Sequence, residues 1–220
     1  MGGMRGRCIW RRPSYTNSMN IDFTFVPKHM ATRDNEAMKP VLMHPEAPAP
    51  AVHYYMIRGG VDQRNITVWE PGTVGGEYIK TFGHYHVGKL DETYWVIYGE
   101  GLILMQKLEE KDGEWLPDRV AEFKVVRVRA GDAQFIPAGH GHLALNLGST
   151  YFVTADDSPV NFSERDAASL PGHADYELVK QMHGFAYYVV ERDGRPVLVK
   201  NPRYKAYGTL DAGGLEVVDE

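Results

Sequence analysis

Cysteine is almost absent: Cys8 is the single one among 220 residues. One thiol cannot form an intramolecular disulfide, so no covalent staple holds this fold, and no cysteine is available to the site argued below. Long apolar runs are missing too. Nothing approaches the roughly 18 to 20 apolar residues of a membrane-spanning helix, and no apolar core follows the basic stretch MGGMRGRCIWRR as a secretion signal requires. A cytoplasmic protein is expected. Positive charge is not in excess either, since 24 Lys and Arg face 29 Asp and Glu for a net charge of -5. That balance gives no reason to expect a nucleic acid or an anionic membrane as partner, although a local site can still bind an anion.

What remains is an ordinary globular composition, 43% hydrophobic and 24% charged, in a chain long enough to bury one core. From Val52 to Ala155 short runs rich in β-branched and aromatic residues follow one another between Gly, Pro and Asp breaks. VHYYMIR, RNITVWE, GEYIKTF, ETYWVIY, GLILMQK, FKVVRVR, AQFI, HLALN and TYFVTA all read as strands. Asp112-Gly113 and Asp193-Gly194 are hairpin signals, and Glu100-Gly101 reads as a corner. The fold class is therefore all-β, a barrel or sandwich over residues 52–155.

Around that core, residues 1–20 read as a disordered tail, ahead of a first strand pattern NIDFTFV. Residues 21–51 carry Pro27, Pro40, Pro45, Pro48 and Pro50 and read as an extended arm over the surface, of a kind that packs on a partner subunit. Residues 156–220 hold an insertion with a short helix over SERDAASL, stopped by Pro171-Gly172, and then the closing hairpin FAYYVVE–RPVLVK.

Chemistry concentrates in TFGHYHVGKLDETYWVIYG (81–99) and GDAQFIPAGHGHLALN (131–146). Side chains two apart on a strand share a face, so His84 and His86 can reach one metal ion while Tyr85 turns away. Glu92 follows beyond VGKLD, where a turn can bring its carboxylate back to the imidazoles, and His142 opens the strand after the turn at Pro137-Ala138-Gly139. Three imidazoles and a carboxylate suit Fe(II), Mn(II), Ni(II) or Zn(II) and leave open positions if the ion is octahedral. His140, two residues before His142, is either a proton shuttle or a loop residue at the rim.

His84, His86, Glu92 and Gly99, then Gly131, Pro137, Gly139, His142 and Asn146, resemble the two motifs of the cupin superfamily in order and spacing. ITVWEPGTVGGEYIKTFGHYH (66–86), GHADY (172–176) and NPRY (201–204) resemble its phosphoglucose isomerase branch, the cupin-type glucose-6-phosphate isomerases. The resemblance implies a double-stranded β-barrel, or jelly roll, with an N-terminal arm and a short C-terminal helix and hairpin. It implies one divalent ion per subunit, Fe(II) foremost, on His84, His86, Glu92 and His142. It implies substrate contacts from Thr67, Thr81, Gly83, Tyr94, His173 and Tyr176, with the first three on a phosphate, and catalytic work by Glu92, Tyr94 and His173. The implied partners are a small sugar phosphate and a second copy of the chain, a homodimer. The chain departs from that pattern in a shorter His86 to Glu92 interval, in the lack of a Tyr-Pro after Phe152, and in a longer 156–174 stretch.

The implied reaction is the reversible conversion of glucose 6-phosphate to fructose 6-phosphate, a step of glycolysis and gluconeogenesis. Glu92 is then either the base that moves a proton between C2 and C1 or a ligand beside a hydride shift that needs no base. A cupin dioxygenase would use the same four ligands without needing the phosphate-side threonines. A non-catalytic sugar-binding cupin would not need all four.

Overall fold

The computed structural model describes residues 30–58, 64–159 and 173–218. Its strands are β1 (Met30–Asp34), β2 (Val52–Ile57), β3 (Asn65–Trp69), β4 (Thr73–Val74), β5 (Glu77–Tyr78), β6 (Tyr85–His86), β7 (Glu92–Tyr98), β8 (Glu100–Lys111) and β9 (Glu114–Arg129). They continue as β10 (Ala133–Ile136), β11 (Gly141–Asn146), β12 (Phe152–Asp156), β13 (Ala174–Asp175), β14 (Tyr187–Arg192), β15 (Arg195–Lys200), β16 (Thr209–Asp211) and β17 (Glu216–Val218). Helix is confined to α1 (Asn35–Met38), a 3-10 turn at Lys39–Val41, and α2 (Glu177–Gln181).

One sheet runs β1-β2-β3-β12-β7-β10. Strict alternation fixes its inner face: Asn65, Thr67 and Trp69 of β3, and Glu92, Tyr94 and Val96 of β7, are buried, while the residues between them are half-buried. The facing sheet contains β11-β8-β9-β16, and the Ile79–His84 segment joins it to β17-β15-β14-β5-β4. Along that seam Lys80 bridges Leu145 and His84 bridges His142. Trp69 against Phe152, ring centroids 4.9 Å apart, and the buried Ile103 fill the space between the sheets, while Phe123 packs on the other face of β9 against Tyr187, ring centroids 4.8 Å apart. The result is the expected all-β, double-stranded cupin barrel, with a cavity left open beyond the aromatic layer.

The hairpins form where Asp-Gly places them. Asp112 and Gly113 have φ of 55° and 86°, Asp193 and Gly194 have φ of 52° and 72°, and each pair closes a two-residue loop. The corner falls at Gly99 instead of Glu100-Gly101. Gly99 has φ of 79°, and a Cβ there would lie 2.5 Å from the Tyr151 carbonyl oxygen, whereas Gly101 sits inside β8. Only Glu77–Tyr78 of GEYIKTF is a regular strand.

The described part of the proline-rich segment is not an extended surface arm. Met30–Asp34 pairs with β2 as an edge strand, Asp34 caps α1 by accepting from the Ala37 N–H at 2.8 Å, and Met38, Val41 and Leu42 are buried. A buried ion pair fixes it there. Lys80 Nζ lies 2.9 Å from Glu77 Oε1 and donates to the Val41 carbonyl at 2.6 Å, while Glu77 Oε2 accepts from the Met43 N–H. The closing hairpin likewise belongs to the core, since β14 pairs with β5 and Tyr187, Val189 and Leu198 pack into the main cluster. The expected tail over 1–20, the NIDFTFV strand and the SERDAASL helix lie outside the described residues. Among the described residues no helix is long and apolar enough to cross a membrane.

Buried His53 packs beside this anchor, its Nε2 3.1 Å from Asn35 Oδ1. Burial and the nearby Lys80 charge lower its pKa from 6.5 to about 4. A depressed histidine keeps its full contribution above pH 6.5 and loses it as pH falls toward about 4, because the unfolded chain takes up the proton first. In urea unfolding of metal-free protein, the stability lost between pH 7 and pH 5 is expected to be about 2 kcal/mol smaller in His53→Gln than in the parent. Equal losses would remove His53 as the cause.

Candidate metal centre

Two chain segments far apart in sequence meet at this site through backbone pairing. The His84 N–H donates to the His142 carbonyl at 3.2 Å, and the His142 N–H returns a bond to the His84 carbonyl at 3.0 Å. This antiparallel bridge sets the two imidazoles side by side, ring centroids 4.4 Å apart, and His86 follows one pleat on at 4.8 Å from His84. Tyr85 points the other way, where its hydroxyl accepts from Gln106 Nε2 at 2.7 Å. Gly83, at φ of 81°, brings the backbone so close to Phe185 that a Cβ would meet its ring at 2.9 Å. Glu92 enters from the opposite sheet at the start of β7, with Oε2 3.0 Å from His86 Nε2 and 2.8 Å from His142 Nε2.

One ligand atom from each of His84, His86, Glu92 and His142 lies within 4.8 Å of the others. His142 Nε2 is fully buried and points at the Glu92 carboxylate 2.8 Å away, so nitrogen and oxygen converge on one shared point as the ligands of an ion do. The electrostatics agree. Burial and the His142 charge push His84 well below its ordinary value, keeping a lone pair free. Burial alone would raise the Glu92 carboxyl, but the imidazoles, His142 foremost, hold it well below the usual range. Three imidazole nitrogens and a carboxylate converging on one point form the donor set that a divalent ion requires, so the residues fit such an ion.

Beside the centre lies a cavity of about 380 Å³. Thr67, Thr81, Gly83, Tyr94, His173 and Tyr176 all line it with His84, His86 and Glu92, whereas His142 closes it from behind at 0% exposure. The Thr81 hydroxyl oxygen accepts from the Ala144 N–H at 3.1 Å and faces the Ala144 carbonyl at 3.5 Å, a long bond that a ligand in the cavity could replace. Tyr176 stacks edge-on against Phe82 and lies 5.6 Å from the His84 ring. The His173 carbonyl is pinned by the Val87 N–H at 2.8 Å. His140 does not line the cavity; its Nδ1 faces the Pro137 carbonyl at 3.2 Å, the loop position.

The polar lining residues not read from the sequence include Arg58, Asn65 and Asp156. Asp156 Oδ1 accepts from Asn65 Nδ2 at 2.7 Å and from the Ser158 hydroxyl at 2.6 Å. Burial and the Glu92 charge push its carboxyl up. Alternation carried a signal for all three, since Arg58 shares a face with Met56, Asn65 with Thr67, and Asp156 with Thr154. Ser158 and Pro159 also line the cavity.

A family model described as Glucose-6-phosphate isomerase (GPI) matches residues 34–206. The glucose-6-phosphate isomerase of Thermococcus kodakarensis is 33% identical over 141 residues, 63% of this chain and 62% of the relative. That of Thermococcus onnurineus is 32% identical over 142 residues, 64% of this chain and 63% of the relative. The chain thus spans under two thirds of the length of these curated relatives. Among solved structures, oxalate decarboxylase from Bacillus subtilis aligns over 47% of this chain and 24% of its own at 18% identity, with a TM-score of 0.32.

Removing one imidazole from the four-residue set should lower metal affinity by orders of magnitude while leaving the barrel folded. The expected outcome for His142→Ala is loss of the one Mn(II) per chain bound by the parent, read by metal analysis after desalting, with an unchanged far-ultraviolet dichroism spectrum. Undiminished Mn(II) in that variant would remove His142 from the centre.

Proposed function

This chain belongs to the glucose-6-phosphate isomerase family, and from that premise we propose that it interconverts glucose 6-phosphate and fructose 6-phosphate using a divalent ion at the four-residue centre. The observation that carries the reading is the convergence of His84, His86, Glu92 and His142 on the wall of a cavity large enough for one sugar phosphate. Fe(II) is the ion we favour, with Mn(II), Ni(II) or Zn(II) as substitutes, since three imidazoles and a carboxylate suit all four and leave positions open. When bound, such an ion supplies Lewis-acid polarisation of the adjacent C1 and C2 oxygens.

The chain's residues do the rest. Glu92, a carboxylate on the cavity wall, would leave the ion to take the proton from C2 of the aldose and return it to C1, while a second proton passes from the C2 hydroxyl to the C1 oxygen. Tyr94 and His173 line the same cavity and hold the sugar hydroxyls, fixing which hydrogen faces the carboxylate. Thr67, Thr81 and the Gly83 amide take the phosphate, and Tyr176 contacts the sugar. Hydroxyls and a bare amide can donate there without filling the space the phosphate needs. The threonines favour this reading over a dioxygenase, and the intact ligand set favours it over a sugar-binding cupin without catalysis.

A homodimer is part of the proposal. On the outer face of the six-stranded sheet Met30 and Phe135 stay 46% and 54% exposed, which supports a second copy covering it. Sedimentation at micromolar concentration should give twice the chain mass, and a monomer would contradict it.

Purified metal-loaded protein is expected to isomerise fructose 6-phosphate in a coupled assay, and no turnover would overturn the reading. Thr67→Val is expected to raise KM about tenfold, the equivalent of one lost hydrogen bond of roughly 1.4 kcal/mol to a charged group, with metal content unchanged. Thr81 calls for a milder probe, because Val would also orphan the Ala144 N–H. An unchanged KM in Thr67→Val would misplace the phosphate end of the cavity.

A further inference from the structure

Strand register lays four polar side chains in one row across the inner face of the six-stranded sheet. Asn65 pairs with Asp156, and Asp156 with Tyr94. Arg58 follows Ile57, the partner of Ile66, and so extends the row onto the end of β2. The row lies one pleat beyond the Met56–Thr67–Thr154 row, on the side toward Glu92.

The cavity carries two carboxylates, Glu92 and Asp156, both buried. Glu92 faces the imidazole cluster. Asp156 uses Oδ1 on Asn65 and Ser158, while its Oδ2 faces Arg58 Nη1 at 4.0 Å. That separation exceeds the roughly 2.7 to 2.9 Å of a charge-assisted hydrogen bond, so the guanidinium is oriented by the carboxylate without spending its donors on it. Arg58 is 26% exposed, and among the described lining residues it is the one permanent cation. A dianion entering a cavity with two carboxylates needs a compensating charge beside the second one, and a forked planar donor matches phosphoryl oxygens.

We infer that Arg58, braced by Asp156, is a specificity-determining residue that takes the phosphoryl group of the substrate. Asp156 is a positioning residue in this arrangement. The inference rests on the sugar-phosphate reading of the cavity and adds to the Thr67 and Thr81 hydroxyls a charge that selects phosphorylated over neutral sugars. Reach supports it, since an arginine one pleat along from the Thr67 row can extend across about 7 Å to the space beside Thr67.

The test uses metal-loaded full-length protein and two readouts, calorimetric binding of inorganic phosphate and steady-state kinetics with fructose 6-phosphate. In Arg58→Met the phosphate Kd is expected to rise about 30-fold and KM to rise by a similar factor, with the loss falling on KM more than on kcat. Arg58→Lys should recover part of both, because it keeps the charge and loses the fork. If Arg58→Met does not fold, the same KM-against-kcat split in Arg58→Lys carries the comparison. Phosphate binding and KM that match the parent in both variants would overturn the inference while leaving the isomerase reading intact. Arg58-dependent phosphate binding in a protein that fails to turn over fructose 6-phosphate would support the anion site and sink the isomerase reading instead.

Discussion

The antiparallel pairing of Ile79–His84 with β11 is the constraint on which the site depends. It joins the two halves of the second sheet and sets His84 opposite His142. A slip of one residue would turn every side chain along the seam to the other face, placing Tyr85 in the site and the imidazoles in the core. The seam is held at both ends. Lys80, locked to Glu77 and the Val41 carbonyl, anchors one end, and the tight packing of Gly83 on Phe185 fixes the other. Breaking the Lys80–Glu77 pair by removing one partner would leave a buried charge, so the anchor is strong against single changes even though such pairs add little net stability.

The same geometry gathers groups that do not favour one another's company. Three imidazoles and a carboxylate lie within one ligand-atom cluster, and a further carboxylate, Asp156, lies on the same cavity. The surrounding barrel, with its Trp69, Phe152 and Phe123 core, holds them there. Hydrogen bonds from Asn65 and Ser158 to Asp156, together with Arg58, balance the second carboxylate as the imidazoles balance the first.

Much of this was legible in the sequence because the signals are local. His84-x-His86, the Gly and Pro punctuation around β10, and the Asp-Gly pairs at 112–113 and 193–194 each specify geometry within a few residues, and most strands formed where alternation placed them, GEYIKTF being the exception. The misreadings have one physical cause. The proline-rich segment looked like a surface arm because nothing local reveals that Lys80, some forty residues on, will receive Val41 and bury Met38. Arg58, Asn65 and Asp156 escaped notice because their meeting depends on the register among β2, β3, β12 and β7. The corner at Gly99 was displaced by two residues because Gly101, the more obvious turn residue, is needed small inside β8, where a Cβ would strike the Leu145 carbonyl.

The central claim is that one ion on these four residues is what makes the cavity an isomerase. It is tested most directly by stripping the protein of metal and titrating Mn(II) back while following fructose 6-phosphate isomerisation. The account expects no turnover at the start, a linear rise, and a break at one ion per chain. Full activity in the stripped protein, or a rise that ignores the stoichiometry, would contradict it.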